Sequence, residues 1–213
     1  MIKGVVFDMD GVLVDAKEWH YEALNRALAL FGFEISRHAH LTAYDGLPTK
    51  AKLEMLSLEK GLPRELHPFI NRMKQSYTME VVHSRCKPRF AQEYALATLK
   101  SKGYRLAVAS NSIRDTVEVM MKKSRLDLYL DTMLSTGDVV HPKPNPEIYL
   151  KAITQLNLTA TECLVVEDNE NGIRAALDSG AYVLVVKRVE DVNLDNIAAR
   201  IRNIEIDSNR RCA

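Results

Sequence analysis

The chain has 213 residues, 46% of them apolar, enough to bury a core without disulfide or metal staples. Lys and Arg total 29 against 28 for Asp and Glu, a formal charge of +1 that offers no broad basic footprint for nucleic acid or an anionic membrane surface. Cys86, Cys163 and Cys212 are widely spaced and lack a histidine cluster, so no zinc site is expected. Met1-Ile2-Lys3-Gly4-Val5 does not resemble a signal peptide, and no run approaches the roughly 20 apolar residues of a membrane helix. A cytoplasmic monomer with no nucleic-acid or membrane partner is expected.

Residues 2–7 form the first of four compact, β-branched apolar runs that read as buried strands, followed by residues 104–109, 163–166 and 182–186. A weaker strand is expected over residues 130–135. After the first strand, residues 15–83 break the alternation with helix after helix. Trp19, Ala23, Ala27, Leu30 and Phe31 recur at helical spacing up to a stop at Gly32. A second helix starts near Thr49 with Leu53 and Leu56 on one face, and a third carries Ile70, Met73 and Tyr77. Beyond the insert, Phe90, Tyr94, Ala97 and Leu99 precede the next strand, Val117, Met120 and Met121 follow it, and Ile148, Ala152 and Leu156 lead into residues 163–166. Cys163 itself reads as a small buried hydrophobe, and the tail after about Asn203 as frayed. The expected class is α/β: a Rossmann-like parallel sheet flanked by helices (residues 1–14 and 84–213), with an inserted α-helical cap (residues 15–83). Ligands in such sheets gather at the carboxyl ends of the strands.

Four stretches at those ends carry candidate chemistry. Asp8-Met9-Asp10-Gly11 sets two carboxylates after a buried strand, costly unless they meet a metal or donors, and Gly11 lets backbone N–H groups approach a phosphate. Ser110 and Asn111 of Ala109-Ser110-Asn111-Ser112 offer neutral donors for phosphoryl oxygens. Lys143 in Pro142-Lys143-Pro144-Asn145-Pro146 offers a cation on a restricted backbone. Glu167 and Asp168 offer hard oxygens of the kind magnesium takes. Singly, each has an ordinary explanation: an acidic turn, a helix cap with Ser110 or Ser112, a surface lysine, a capping turn at Asp168 or Asn169. Their joint occurrence in this order, after successive strands of one sheet, is much harder to explain that way.

These motifs resemble those of the haloacid dehalogenase-like hydrolase superfamily, in particular its β-phosphoglucomutase-like phosphatases with a helical cap. The resemblance spans about residues 1–190 and rests on Asp8-Met9-Asp10-Gly11-Val12-Leu13-Val14-Asp15, Ala109-Ser110-Asn111-Ser112, Lys143-Pro144-Asn145-Pro146 and Glu167-Asp168. It implies that Asp8 is a nucleophile forming an aspartyl-phosphate and that Asp10 is the general acid and base. It also implies magnesium held by Asp8, the main-chain carbonyl of Asp10, and Asp168, with Glu167 as ligand or support. Lys143 would stabilise Asp8 and the transferring group, while Ser110 and Asn111 donate to phosphoryl oxygens. Because dehalogenases proper lack the second aspartate, Asp10 points to phosphate esters rather than halides.

By the same resemblance the cap sets the substrate, and Asp15 and His20 match positions common in the phosphoglucomutase-like branch. Thr49 stands where the mutases carry an arginine for sugar phosphate, with Lys50 next to it, and this departure favours a phosphatase over a mutase. His20, Lys50, Arg72 and Lys74 are the cap candidates for a substrate contact. The expected function is a magnesium-dependent phosphatase of a small phosphorylated metabolite, such as a sugar phosphate. The alternatives are a sugar-phosphate mutase and a non-catalytic phosphate-binding module, the last disfavoured by Asp10 and the large insert.

Overall fold

The computed structural model describes residues 1–212, apart from the side chains of Asn209, Arg211 and Cys212; the Cys212 thiol therefore lies outside the described residues. The chain divides into two compact units, Met1–Asp15 with Lys87–Ala213, and Ala16–Cys86. Strand β1 (Gly4–Phe7) opens the first unit. The second unit follows as α1 (Lys17–Ala29), the single turn α2 (Arg37–Ala39) continued by a π-helical turn at His40–Tyr44, α3 (Thr49–Lys60) and α4 (His67–Arg85). The chain then returns as α5 (Phe90–Ser101), β2 (Arg105–Ala109), α6 (Arg114–Lys123), β3 (Thr132–Leu134) and α7 (Glu147–Gln155). It ends as β4 (Cys163–Glu167), α8 (Glu170–Asp178), β5 (Tyr182–Val185) and α9 (Leu194–Cys212).

The five strands form one parallel sheet in the order β3-β2-β1-β4-β5. Strand β1 is central, and Phe7 pairs in register with Val108 of β2 and Val166 of β4. The residues that follow β1 and β2, and those that end β4, therefore emerge side by side. The chain winds from β1 toward β3 on one side and to β5 on the other, which makes the ends of β1 and β4 a topological switch point.

Both faces of the sheet are covered, which is why the strands read as continuous apolar runs. Val6, Ala107, Ala109, Cys163, Val165 and Val183 pack with Ile148, Tyr149, Ala152, Ile153, Ala175 and Ala176 of α7 and α8. Val5, Phe7, Leu106, Val108, Leu164 and Val166 alternate to the opposite face and are equally buried. Each such side chain removed from water contributes about 2 kcal/mol before the entropy of ordering it. Burial pushes the Cys163 thiol up to about 12, as befits an inert packing group.

The helical unit has its own core of Leu24, Ala27, Leu28, Ile35, Tyr44, Leu53, Leu56, Leu62 and Ile70. Helix α3 ends at Gly61, whose φ of +69° suits the left-handed C-terminal turn. Among the described residues, no helix is long and apolar enough to cross a membrane.

Three local expectations are corrected. Leu30 lies past the end of α1 and is 53% exposed, because Ala23, Leu24, Ala27 and Leu28 make the buried face. On α5, Phe90 and Tyr94 stack outside at 5.7 Å, while Gln92, Ala95, Leu96 and Leu99 turn inward. The Gln92 amide is tolerated there because it donates to Val189 O at 2.6 Å. The tail expected to fray after Asn203 is the continuation of α9, anchored by buried Ile197, Ile201 and Ile204.

Candidate active site

Asp8 follows β1 directly, and its N–H still bonds Val166 O at 3.0 Å, one rung beyond the strand. The chain then folds back tightly. Leu13 and Val14 donate to Met9 O at 3.0 and 2.9 Å, and Gly11 donates to Val14 O at 2.7 Å. Gly11 has φ +92°, a conformation a side chain would strain. Its own N–H closes the loop. The buried Met9, Val12, Leu13 and Val14 anchor the turn, leaving Asp8 only 5% exposed.

Lys143 is drawn fully inside, 3% exposed, and its Nζ lies 2.7 Å from both Asp8 Oδ1 and Glu167 Oε1. The Asn111 side chain fixes the lysine's backbone. Lys143 N–H donates to Asn111 Oδ1 at 3.1 Å, and Asn111 Nδ2 donates to Lys143 O at 3.3 Å. The Asn111 amide, expected to face a phosphate, thus holds the loop that carries the cation. The Lys143–Pro144 peptide is cis.

Glu167 is the last residue of β4, not a loop residue, and is completely buried. Its Oε1 also accepts the Tyr149 hydroxyl at 2.6 Å, and its Oε2 accepts Asp168 N–H at 2.9 Å. Asn169 caps α8 by accepting Gly172 N–H at 3.0 Å, so the capping explanation holds for Asn169 and not for Asp168.

Carboxylate oxygens of Asp8, Glu167 and Asp168 lie within 4.8 Å of one another. Burial pushes Asp8 well above the usual carboxylate range; Lys143 opposes this, and Glu167, Asp168 and Asp10 add to it. Burial alone would lower Lys143, but Asp8 and Glu167 hold its ammonium charged. Three acids against one lysine leave an excess of negative charge that a hard divalent cation would offset, and oxygen donors are what magnesium takes. The donor set therefore fits magnesium. The Asp10 carboxylate stands outside this triad.

On the other side of β1, Ser110 N–H bonds Leu134 O at 3.0 Å, and the Ser110 hydroxyl accepts Ser112 N–H at 3.0 Å. Ser112 Oγ donates to Asp10 Oδ2 at 2.9 Å, and Ser112 O accepts Thr136 N–H at 3.0 Å from the loop after β3. Neither serine caps α6, whose N-cap is Ile113 without a side-chain bond. The helix-cap explanation of this motif fails.

The candidates in the helical unit separate into two groups. His20 Nδ1 lies 3.2 Å from Lys74 Nζ, and Lys74 is buried. Lys50 and Arg72 are exposed, Arg72 lying 5.9 Å over the Phe69 ring, and Asp15 is exposed as well. Two buried groups escaped the sequence reading, Lys52 and His40. Lys52 shares the inner face of α3 with Leu53 and Leu56 at one-turn spacing, a signal the sequence contained. His40 packs on Tyr21 at 4.8 Å. Burial, then Lys52, lower its pKa from 6.5 to about 4, with Asp45 opposing. Tyr149 was equally missed, because its place beside Ile148 reads as one apolar stripe of α7.

The model of one protein family, described as haloacid dehalogenase-like hydrolase, matches residues 5–186. A phosphorylated carbohydrates phosphatase of Thermotoga maritima is 29% identical over 179 residues, covering 84% of this chain and 82% of its own. The crystal structure of CbbY from Rhodobacter sphaeroides in complex with phosphate superposes with a TM-score of 0.78 at 25% identity, over 87% of this chain and 86% of that one. That of β-phosphoglucomutase from Clostridium difficile has a TM-score of 0.82 at 20% identity, covering 97% and 100%, a likeness of fold.

Proposed function

Because the chain belongs to the haloacid dehalogenase-like hydrolases, we propose that it is a magnesium-dependent phosphatase of a small phosphorylated metabolite, a sugar phosphate being the leading class. The observation that carries this reading is the buried Lys143 ammonium bridging Asp8 and Glu167 at 2.7 Å, with the Asp168 carboxylate alongside. A surface lysine has no reason to be there. A group that must neutralise a carboxylate and a phosphoryl oxygen together does.

The Asp8 carboxylate attacks phosphorus in line, forming an acyl phosphate as the ester P–O bond breaks. Asp10 delivers its proton to the departing alkoxide, then takes one from the water that hydrolyses the acyl phosphate to free Asp8 and inorganic phosphate. Ser112, donating to Asp10 Oδ2, aims that carboxyl group. Ser110 donates to the phosphoryl oxygens, and Asn111 acts through the Lys143 backbone it clamps. Asp8, Glu167, Asp168 and the Asp10 main-chain carbonyl would hold magnesium, which when bound offsets phosphoryl charge. In the helical unit, His20, Lys50, Arg72 and Lys74 remain the substrate-contact candidates, His20 and Lys74 lying together and Lys50 and Arg72 exposed.

The likeness to the Thermotoga phosphatase of phosphorylated carbohydrates supports the sugar-phosphate class. The test is a magnesium-dependent screen over a panel of phosphorylated metabolites, followed by phosphorus NMR. Inorganic phosphate as product supports the phosphatase. An isomeric phosphate ester means a mutase, and no turnover on any ester returns the chain to a phosphate-binding module.

A further inference from the structure

Tyr149 lies within Pro144-Asn145-Pro146-Glu147-Ile148-Tyr149, at the third residue of α7, and is completely buried. A phenol placed so deep needs a partner for its hydroxyl, and here the partner is an acid. The hydroxyl donates to Glu167 Oε1 at 2.6 Å, the same oxygen that accepts Lys143 Nζ at 2.7 Å. Lys143 Nζ also stands 4.6 Å over the Tyr149 ring centroid, within cation–π range. The ammonium is thereby held on three sides, by Asp8 Oδ1, Glu167 Oε1 and the ring face.

Glu167 is fixed from the opposite side as well. A Cβ built on Gly172 would overlap the Glu167 carboxylate, so only a glycine lets α8 approach it this closely. Asp168 N–H donates to Oε2 at 2.9 Å, and Asn169 Nδ2 to the same oxygen at 3.3 Å. Among the described residues, apart from Lys143 itself, the Tyr149 hydroxyl is the donor on Oε1. Without it, the only hydrogen bond on that oxygen among the described residues would come from the lysine it is meant to hold.

We propose that Tyr149 is a positioning residue of the site: its hydroxyl orients Glu167 Oε1 and its ring carries the Lys143 ammonium, keeping Lys143 Nζ on Asp8. It touches no reacting atom and acts through Glu167 and Lys143. Its kinetic consequence rests on the phosphatase reading; its effect on Lys143 does not.

The test compares the intact chain with Tyr149→Phe, which keeps the ring and its packing, in two measurements. Heteronuclear NMR of the lysine ammonium groups identifies the Lys143 signal by its absence in Lys143→Met. In Tyr149→Phe that signal should shift and exchange faster with water. With magnesium and p-nitrophenyl phosphate, kcat should fall about tenfold with KM held within about twofold, the size expected from one hydrogen bond to a charged group. In a Glu167→Gln background the same substitution should cost less than about twofold, since the residue it acts through is altered. An unchanged Lys143 signal overturns the proposal. So does a shifted signal with unchanged kcat, or a full tenfold loss in the Glu167→Gln background. If the intact chain turns over no ester, the phosphatase reading falls and the Lys143 signal alone decides the role of Tyr149.

Discussion

Ser112 Oγ donates to Asp10 Oδ2 at 2.9 Å, while Ser112 O is tied to Thr136 N–H at 3.0 Å. The orientation of Asp10 is thus set from the loops after β2 and β3. Ser112→Ala should lower kcat about tenfold and leave KM nearly unchanged, as for one hydrogen bond to a carboxylate. Ser112→Thr, which keeps the hydroxyl, should recover most of the rate. Steady-state kinetics on an ester identified by the metabolite screen would show this. Equal losses in both variants would point to packing instead.

Lys143 is the cation buried between Asp8 and Glu167. Lys143→Met leaves these two acids and Asp168 mutually repelling, a defect of about 3 kcal/mol or more. Magnesium held by the same three carboxylates, as proposed, should restore part of that loss. Chemical denaturation with and without magnesium should show a larger magnesium-induced stabilisation in Lys143→Met than in the unaltered chain. An equal response in both would argue that the cation does not bind at this cluster.

Gly172→Ala separates two effects of opposite sign. In an ordinary helix, alanine would be favoured over glycine by about 1 kcal/mol. Here its Cβ meets the Glu167 carboxylate. Activity should fall about a hundredfold and thermal stability should drop, whereas a merely helical position would become more stable.

The helical unit carries a pH dependence of its own. His40 has its pKa lowered from 6.5 to about 4 by burial, then by Lys52, His20 and Lys17, against Asp45. Between those values the unfolded chain holds a proton on this residue that the folded chain does not, so stability falls as pH falls through the window and is complete above it. The slope is at most about 1.4 kcal/mol per pH unit. Trp19, the one tryptophan of the chain, lies in α1 and reports on this unit by fluorescence. Denaturation followed at Trp19 should weaken across that range, and His40→Phe should flatten the dependence.

Much of the sheet and of the candidate site was legible in the sequence. Strands β1, β2 and β4 are short, largely apolar runs, and a strand buried on both faces can hardly be spelled otherwise. Asp8, Lys143 and Asp168 were legible because their residue types, spacing and order after successive strands had few structural explanations in common. What escaped depended on contacts across long stretches of chain. Nothing near Tyr149 says that its hydroxyl will meet Glu167, and an apolar stripe through Ile148 and Ala152 hides it. Asn111 was expected at a phosphate, yet its amide binds a backbone 32 positions away. Lys52 was passed over although the phase of α3 turns it inward with Leu53 and Leu56. Phe90 and Tyr94 misled by hydrophobicity alone, since the smaller Ala95 and Leu96 fit the sheet face.

The most direct test of the account is magnesium-dependent phosphate release by Asp8→Asn, measured on an ester that the unaltered chain hydrolyses. Asparagine keeps the shape of the side chain beside Lys143 but removes the carboxylate proposed to attack. The account predicts a loss of at least about a thousandfold with the fold retained. Full magnesium-dependent turnover by Asp8→Asn would contradict it.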